Sequence, residues 1–495
     1  MRSDHPREVD AEARAGLARA FREFLDAESV LDDDEALRPF ECDGLTAYRR
    51  LPLLAVLPET VEQVRQVLEI CAARGIPVVA RGAGTSLSGG ALPHAEGVLL
   101  SLAKFNRILE IDRDNRLARV QPGVRNLAIS EAAAPHGLYY APDPSSQIAC
   151  SIGGNVAENA GGLHCLKYGL TVHNVVELDV LTIDGERLKI GARSLDAPGY
   201  DLLALLTGSE GLLGVIVEVT VKLLPKPATA KVLLAAFAEV GAAGAAVASI
   251  IAEGIIPAGL EMMDNSAIRA AEDFVHAGYP TEAAAILLCE LDGTEDEVED
   301  EVREVSALLE RCGASEVRVA RGEAERLRFW AGRKAAFPAV GRISPDYYCI
   351  DGTIPRKELA KVLARTAELS EEYGLPVVNV FHAGDGNLHP LILYDANVEG
   401  QVEQVEALGG KILELCVAVG GTITGEHGVG VEKLDQMCVQ FAPAELGQFH
   451  AVKKAFDERG LLNPGKAVPT LARCAELGGM HVHAGKLPFP DIERF

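Results

Sequence analysis

The sequence predicts an α+β protein of two large domains, and three observations carry that prediction. The chain has 495 residues and a mass of 52.5 kDa, more than one hydrophobic core ordinarily supports. Up to residue 227 it alternates helix and strand patterns with loops of Gly, Ser and Thr, whereas from Ala228 onward Ala-rich, acidic helices alternate with short strands. Between the two, VTVKLLPKP (219–227) sets two prolines after a strand, the punctuation of a domain boundary. We read residues 1–45 as a helical lead-in, 46–227 and 228–470 as the two domains, and 471–495 as a tail.

The elements follow in order. Val9 to Leu25 carries helical spacing, and the lead-in ends in the turn Glu41-Cys42-Asp43-Gly44. Glu59 to Arg74 is a helix by periodicity, stopped by Gly75, and Ile76 to Ala80 reads as a buried strand running into RGAGTSLSGG (81–90). Strand patterns at 97–102 and 116–120 precede a helix from Asn126 to His136, stopped by Gly137. Three further small-residue loops are Pro142 to Ser146, Gly153 to Gly162 and Gly208 to Gly214. In the second domain VGAAGAAVASIIA (240–252) lies between Glu239 and Glu253; it is too short for the roughly 20 residues of a membrane span and reads as a buried helix. A strand at 285–291, a solvated acidic helix face at 295–301, strands at 377–381 and 391–394 and a helix at 402–419 complete the pattern.

Charge and cysteines narrow the function. Acidic residues outnumber basic ones 72 to 47, a net charge of −25 that argues against a phosphate-backbone partner. The ten cysteines contain no C-x-x-C pair and read as reduced, mostly buried thiols. The same scatter argues against an iron–sulfur cluster held by this chain. The first 16 residues lack the apolar run of a signal peptide, so a cytoplasmic protein is expected, with any membrane attachment made through a partner.

RGAGTSLSGG matches neither familiar phosphate loop: Leu87 stands where a dinucleotide fingerprint has its third glycine, and no Gly-Lys-Ser/Thr follows. What it offers is a strand opening into small residues whose backbone N–H groups can converge on an anion. The second half offers side-chain chemistry instead. In NVFHAGDGNLHPLI (379–392), the reversal Gly384-Asp385-Gly386 lets His382 and His389 face one cavity, although their odd spacing would put them on opposite faces of a continuous strand. GEHGVG (425–430) adds a carboxylate and an imidazole. His382, His389 and Glu426 make a three-ligand set with open positions, suited to Zn²⁺, Mn²⁺ or Fe²⁺. That leaves His427 as a base.

The glycine loops, in order and spacing, resemble the flavin-contacting segments of the FAD-linked oxidases of the vanillyl-alcohol oxidase type. The resemblance implies noncovalent FAD on a two-subdomain flavin-binding domain, followed by an α+β substrate domain with an antiparallel sheet. Carried over residue by residue, it puts Arg81, Gly82, Ala83, Gly84, Thr85, Ser86, Gly89 and Gly90 at the pyrophosphate, with Pro142, Asp143 and Ser146 nearby. Gly153, Gly154, Asn155, Asn159 and Gly162 fall at the flavin edge, and Glu210, Gly211, Gly214 and Val215 nearer the adenosine. Asn463 and Lys466 of LNPGK complete the set, Lys466 supporting charge on the reduced flavin.

HAGDGNLHP paired with GEHGVG is similar to the D-2-hydroxy acid dehydrogenases, in which these positions bind metal and the histidine after the glutamate is the base. Arg333 in FWAGRKAAF matches the family arginine that clamps a substrate carboxylate. ECDGLTAYR, HCLKYGLTVHN, LEMMDNSAIRAAEDF, AGRISPDYYCIDGTIPR and MHVHAGKLPFPDIERF extend the likeness over nearly the whole chain, to the flavin subunits of bacterial glycolate-oxidising complexes. That implies oxidation of glycolate, and of D-lactate as a second candidate, with electrons passed to an iron–sulfur subunit in a complex that holds a second flavin-like subunit, peripheral to the inner membrane. Relatives acting on 2-hydroxy diacids carry a lysine near Tyr347 and Tyr348, so its absence here points to a small monocarboxylate. A non-redox transferase on the same flavin fold, as in the alkylglycerone-phosphate synthases, and a non-catalytic assembly subunit remain open alternatives.

Overall fold

The computed structural model describes residues 11–194, 198–470 and 473–474. The closing MHVHAGKLPFPDIERF lies outside the described residues. The helix Val61–Arg74 starts at Thr60, whose hydroxyl accepts from the Gln63 N–H in a capping box, and ends at Gly75 with φ 66°. Its apolar face, Val64, Val67, Leu68 and Cys71, packs on a four-stranded sheet. In that sheet Val78–Arg81 and Leu54–Val56 flank Val98–Ser101 in parallel, and Val30–Leu31 adds an antiparallel edge. The strand Val78–Arg81 therefore delivers the 81–90 loop at its carboxyl end.

A five-stranded antiparallel sheet follows, ordered Ile108–Asp112, Leu117–Val120, Val215–Lys222, Val175–Leu181, Arg187–Gly191. After Pro225 the chain enters a seven-stranded sheet at Thr229–Phe237, antiparallel in every pairing that joins its strands. Alternation along Thr229–Phe237 sends Leu233 and Ala235 to one side, under the helices Val240–Ala252, Glu295–Arg311 and Leu359–Tyr373, and Val232 and Leu234 to the other, under Asn265–Val275 and Glu323–Val340. This sheet is thus covered on both faces, which explains why its strands read as apolar runs. Among the described residues no helix is long and apolar enough to cross a membrane.

Two sequence expectations are corrected. SIGGNVAENAGG is not a loop throughout: Ile152–Glu158 is a helix, closed by Asn159 at φ 55°. Its small residues serve close packing rather than turning, since a Cβ on Gly153 would lie 2.5 Å from Pro122 Cβ. The cysteines are not all free thiols: Cys438 and Cys474 are disulfide-bonded, with Cα atoms 5.2 Å apart across 36 residues, a proximity created by tertiary folding and not by a motif. The other eight are free. Residues 461–463 return to the first sheet. The Val78 N–H donates to Leu461 O and the Asn463 N–H to Val78 O, both at 2.8 Å, so the 461–463 segment caps the edge of the first sheet.

Candidate active site

The glycine loops and the histidine motifs meet in one cavity of about 390 Å³. One wall is backbone: residues 81–87, Gly90 and Ala91 from the first sheet, Ser145 and Ser146, the amino end of the Ile152–Glu158 helix through Gly153, Gly154 and Asn155, then Glu210, Gly211 and Gly214. The opposite end is closed by His389, Glu426 and His427, with Lys334, Phe337 and Pro338 of the Glu323–Val340 helix beside them. A surface of glycine backbone carrying a few buried, unpartnered oxygens, Ser151 Oγ and Glu158 Oε2, suits a large flat coenzyme that must lie close to main chain.

Not every residue expected at the coenzyme reaches this wall. Gly89, Asn159, Gly162, Asn463 and Lys466 support it from behind. Asn159 Oδ1 accepts from the Val172 N–H, Asn463 Nδ2 donates to Gly90 O and Glu210 O, and Lys466 Nζ donates to Gly90 O at 3.0 Å. Burial lowers the Lys466 ammonium to about 7. Val215 is corrected to a core residue, 1% exposed, with its neighbour Ile216 on the wall instead. Asp143 is turned away to bind His164 at 2.8 Å, and Pro142 contributes its carbonyl to Asn126 Nδ2. Arg81 lies on the wall, but its Nη1 is taken up by Cys42 O at 2.7 Å and its guanidinium sits over Phe40. Glu210 lines the wall, and its two oxygens accept from the Val429 and Gly430 N–H groups, 2.7 Å each, so that it binds the coenzyme wall to the GEHGVG loop.

The histidines do converge. His382 ends its strand and bridges Asn387 across the turn, where Gly386 at φ 82° lies so close to Ile354 O that a side chain would collide. The His382 and His389 rings are then 5.1 Å apart, and His427 stacks on His389 at 4.9 Å. Glu426 Oε1 is their common neighbour, 2.8 Å from His389 Nε2, 3.4 Å from His382 Nε2 and 3.6 Å from His427 Nε2. His389 Nδ1 is 3.4 Å from Ile350 O and His382 Nδ1 is 2.7 Å from Glu261 Oε1. With those nitrogens donating, both Nε2 atoms present lone pairs toward a carboxylate oxygen, an arrangement that needs a cation or a proton between them. The donor set His382, His389 and Glu426, with ligand atoms within 4.8 Å of one another, therefore fits a divalent metal.

Electrostatics agree. Burial would raise the Glu426 carboxyl, but His382 and His389, when they carry a proton on Nε2, donate to it and hold it well below the usual range. For His427, burial dominates and lowers the imidazole to about 4, against the pull of Asp351, so it is neutral at neutral pH. Arg333 is 1% exposed and off the cavity wall: its Nε donates to Glu261 Oε2 at 2.9 Å, while Nη2, 2.8 Å from the same oxygen, has no aligned acceptor. Glu261 so holds His382 and the expected clamp together. Sequence reasoning missed it, as it missed Asp351, Glu158 and Lys433. The available signal was an acid flanked by Leu260, Met262 and Met263 in the strand GLEMMD.

Comparisons with known proteins agree with this construction. The model of the FAD binding domain matches residues 52–191, and that of the FAD linked oxidases, C-terminal domain, matches residues 226–467. A backbone cradle in the first region facing a histidine–carboxylate cluster in the second defines an FAD-dependent oxidoreductase. The chain is 66% identical over 482 residues to glycolate oxidase subunit GlcD of Escherichia coli (strain K12), covering 97% of each, and 35% identical to a D-lactate dehydrogenase of Anaerostipes hadrus, covering 88% of this chain and 94% of that one. It belongs to the FAD-linked oxidase family of these GlcD subunits. A solved 4-ethylphenol oxidase from Gulosibacter chungangensis shares the fold, with a TM-score of 0.79 at 18% identity over 94% of this chain and 99% of that one.

Proposed function

We propose that this chain oxidises glycolate to glyoxylate, with D-lactate as an alternative substrate, and is the flavin subunit of a multi-subunit assembly. The observation that carries the mechanism is the convergence of His382, His389 and His427 on Glu426 Oε1 at the closed end of a cavity otherwise walled by backbone. Bound FAD supplies the hydride acceptor. A divalent cation held by His382, His389 and Glu426 supplies Lewis-acid stabilisation for a developing alkoxide.

The chain's own residues do the rest. The neutral imidazole of His427 receives the hydroxyl proton as the α-hydrogen leaves with its electron pair. Arg333 is paired with Glu261 Oε2 through Nε at 2.9 Å and Nη2 at 2.8 Å, and meets the substrate carboxylate by turning from that acid, a role supported by the family match at FWAGRKAAF. The backbone wall and Phe337 restrict water at the reacting end. Tyr347 and Tyr348 in place of a lysine favour a monocarboxylate over a diacid.

Electrons then leave for an iron–sulfur subunit. The relatives' description as subunits supports an assembly, which we place, together with a second flavin-like subunit, in the cytoplasm at the inner face of the membrane. Anaerobic addition of glycolate is expected to bleach the flavin absorbance, and His427→Ala to slow that bleaching by about 10²–10⁴-fold. Unchanged bleaching in the variant would refute the assignment. A substrate panel with metal analysis of the holoprotein ranks glycolate against D-lactate and identifies the cation.

A further inference from the structure

Behind the loop that carries Glu426 and His427 lies a carboxylate that touches nothing in the cavity. Asp351 follows the strand Asp346–Cys349 and is fully buried. Its Oδ2 accepts from Thr424 Oγ1 at 2.5 Å, the His427 N–H at 2.9 Å, the Gly425 N–H at 3.1 Å and Lys433 Nζ at 3.2 Å. Its Oδ1 accepts from Asn387 Nδ2 at 2.8 Å and from the Glu426 N–H at 3.2 Å. Three consecutive backbone N–H groups, residues 425 to 427, thus close around one anion, a nest built by a protein side chain where other folds bind a phosphate.

The geometry has a direct consequence. Because the main chain at 425–427 turns its N–H groups inward to Asp351, the side chains of Glu426 and His427 are left to point outward, onto the cavity wall. Asn387 belongs to the other motif, in the turn between His382 and His389, so a single carboxylate fixes the two histidine motifs relative to each other. Lys433, also 0% exposed, completes the hub: its Nζ reaches Asp351 and Gly428 O, the latter at 2.8 Å, and closes the loop at its far end. A bare carboxylate so deep would be prohibitive, and the ammonium together with five further donors makes it tenable.

We infer that Asp351, paired with Lys433, is the positioning residue of the oxidation: it holds the 424–428 loop against the 382–389 turn in the one relation that lets Glu426 and His427 act on the same substrate. The inference rests on the proposed function, because it assumes that these side chains do the chemistry. It assigns Asp351 no contact with substrate or coenzyme.

The test uses the FAD-loaded, full-length protein and four variants: Asp351→Asn, Lys433→Met, their double combination, and Thr424→Val, which removes one donor to Oδ2. Flavin content, thermal midpoint, the limiting rate of anaerobic flavin reduction by glycolate, and the Kd of the unreactive analogue oxalate from its perturbation of the flavin spectrum are measured for each. For Asp351→Asn we expect retained flavin, an oxalate Kd within about threefold of the parent, and a limiting rate lower by about 10²-fold, the usual consequence of displacing a reacting group by about 1 Å. The double variant should be no slower than the slower single variant, since the pair acts as a unit. If Asp351→Asn fails to accumulate folded protein, Thr424→Val carries the test, with an expected fall of about tenfold at unchanged flavin content. A limiting rate within threefold of the parent in a flavin-loaded Asp351→Asn or Thr424→Val variant overturns the inference. So does a rate loss that merely follows loss of flavin, which marks a structural role alone. An active His427→Ala would instead strike at the proposed function, so the two failures are distinguishable.

Discussion

The two walls of the cavity are built on different principles. The coenzyme wall is main chain, and the side chains on it and behind it, Arg81, Glu210, Asn463 and Lys466, are largely spent on holding main chain in place. The opposite wall is side chain, and there the main chain of 425–427 is spent on holding the side chains. A backbone wall tolerates almost any side-chain change but no added volume. A side-chain wall tolerates volume but not the loss of a charge. The difference teaches which substitutions each region will resist.

The sharpest way to break the side-chain wall is Glu261→Gln. It removes the charge that compensates Arg333, buried to 1% exposure, and leaves a single acceptor oxygen where the carboxylate offers one each to His382 and Arg333. Stranding a buried arginine costs about 3–5 kcal/mol, and losing the carboxylate behind a ligand histidine weakens metal affinity by roughly 10–100-fold. Denaturant unfolding and metal titration check both; a variant with parental stability contradicts the account of Arg333.

For the backbone wall the corresponding change adds one methyl group. Gly162 lies at φ 154°, and a Cβ there would come within 2.5 Å of the carbonyl carbon and oxygen of Asp143. Main chain cannot yield as a side-chain tip can, so Gly162→Ala should cost about 1–3 kcal/mol and lower flavin content. Parental stability and flavin content in the variant would contradict the division.

The seam between the two halves gives the smallest effect and a distinctive pH signature. His164, on the flavin side, meets Asp143 at 2.8 Å and Glu290 of the seven-stranded sheet at 3.4 Å. Burial alone would lower its pKa, but the two carboxylates outweigh burial and raise it to about 10. A folded value above the unfolded value of about 6.5 means that the stabilisation is complete below pH about 6.5 and disappears as pH rises through 10. His164→Asn should cost roughly 1–2 kcal/mol at pH 6, a modest figure because the ring is 25% exposed. The gap in thermal midpoint from the parent should close by pH 10. A gap that does not change with pH would remove the charge from the explanation.

How much of this the sequence disclosed follows the same division. A backbone cradle writes itself locally, because glycines must stand where the coenzyme approaches, and RGAGTSLSGG and TGSEGLLGV were readable one loop at a time. SIGGNVAENAGG was readable as part of the cradle but not as a helix, since packing against Pro122 overrides the poor helix propensity of Gly153 and Gly154. HAGDGNLHP and GEHGVG showed their chemistry through residue type. Their supports did not: Glu261 lies 121 residues from His382 and 72 from Arg333, and Asp351 lies 76 from His427. An acid that will be buried against partners that distant looks, in one dimension, like any turn or strand residue. The Cys438–Cys474 bond was hidden for the same reason.

The return of residues 461–463 to the edge of Val78 bears on how the polypeptide comes to be made. During synthesis the amino-terminal sheet leaves the ribosome with that edge bare, and some 380 residues of translation separate it from the segment that will cover it. Leu461, Asn463 and Lys466 arrive late, and Asn463 and Lys466 bring with them the props of the Gly90 carbonyl. Truncated products should therefore be both prone to aggregate and unable to retain riboflavin-derived coenzyme, so that colour itself reports a finished chain.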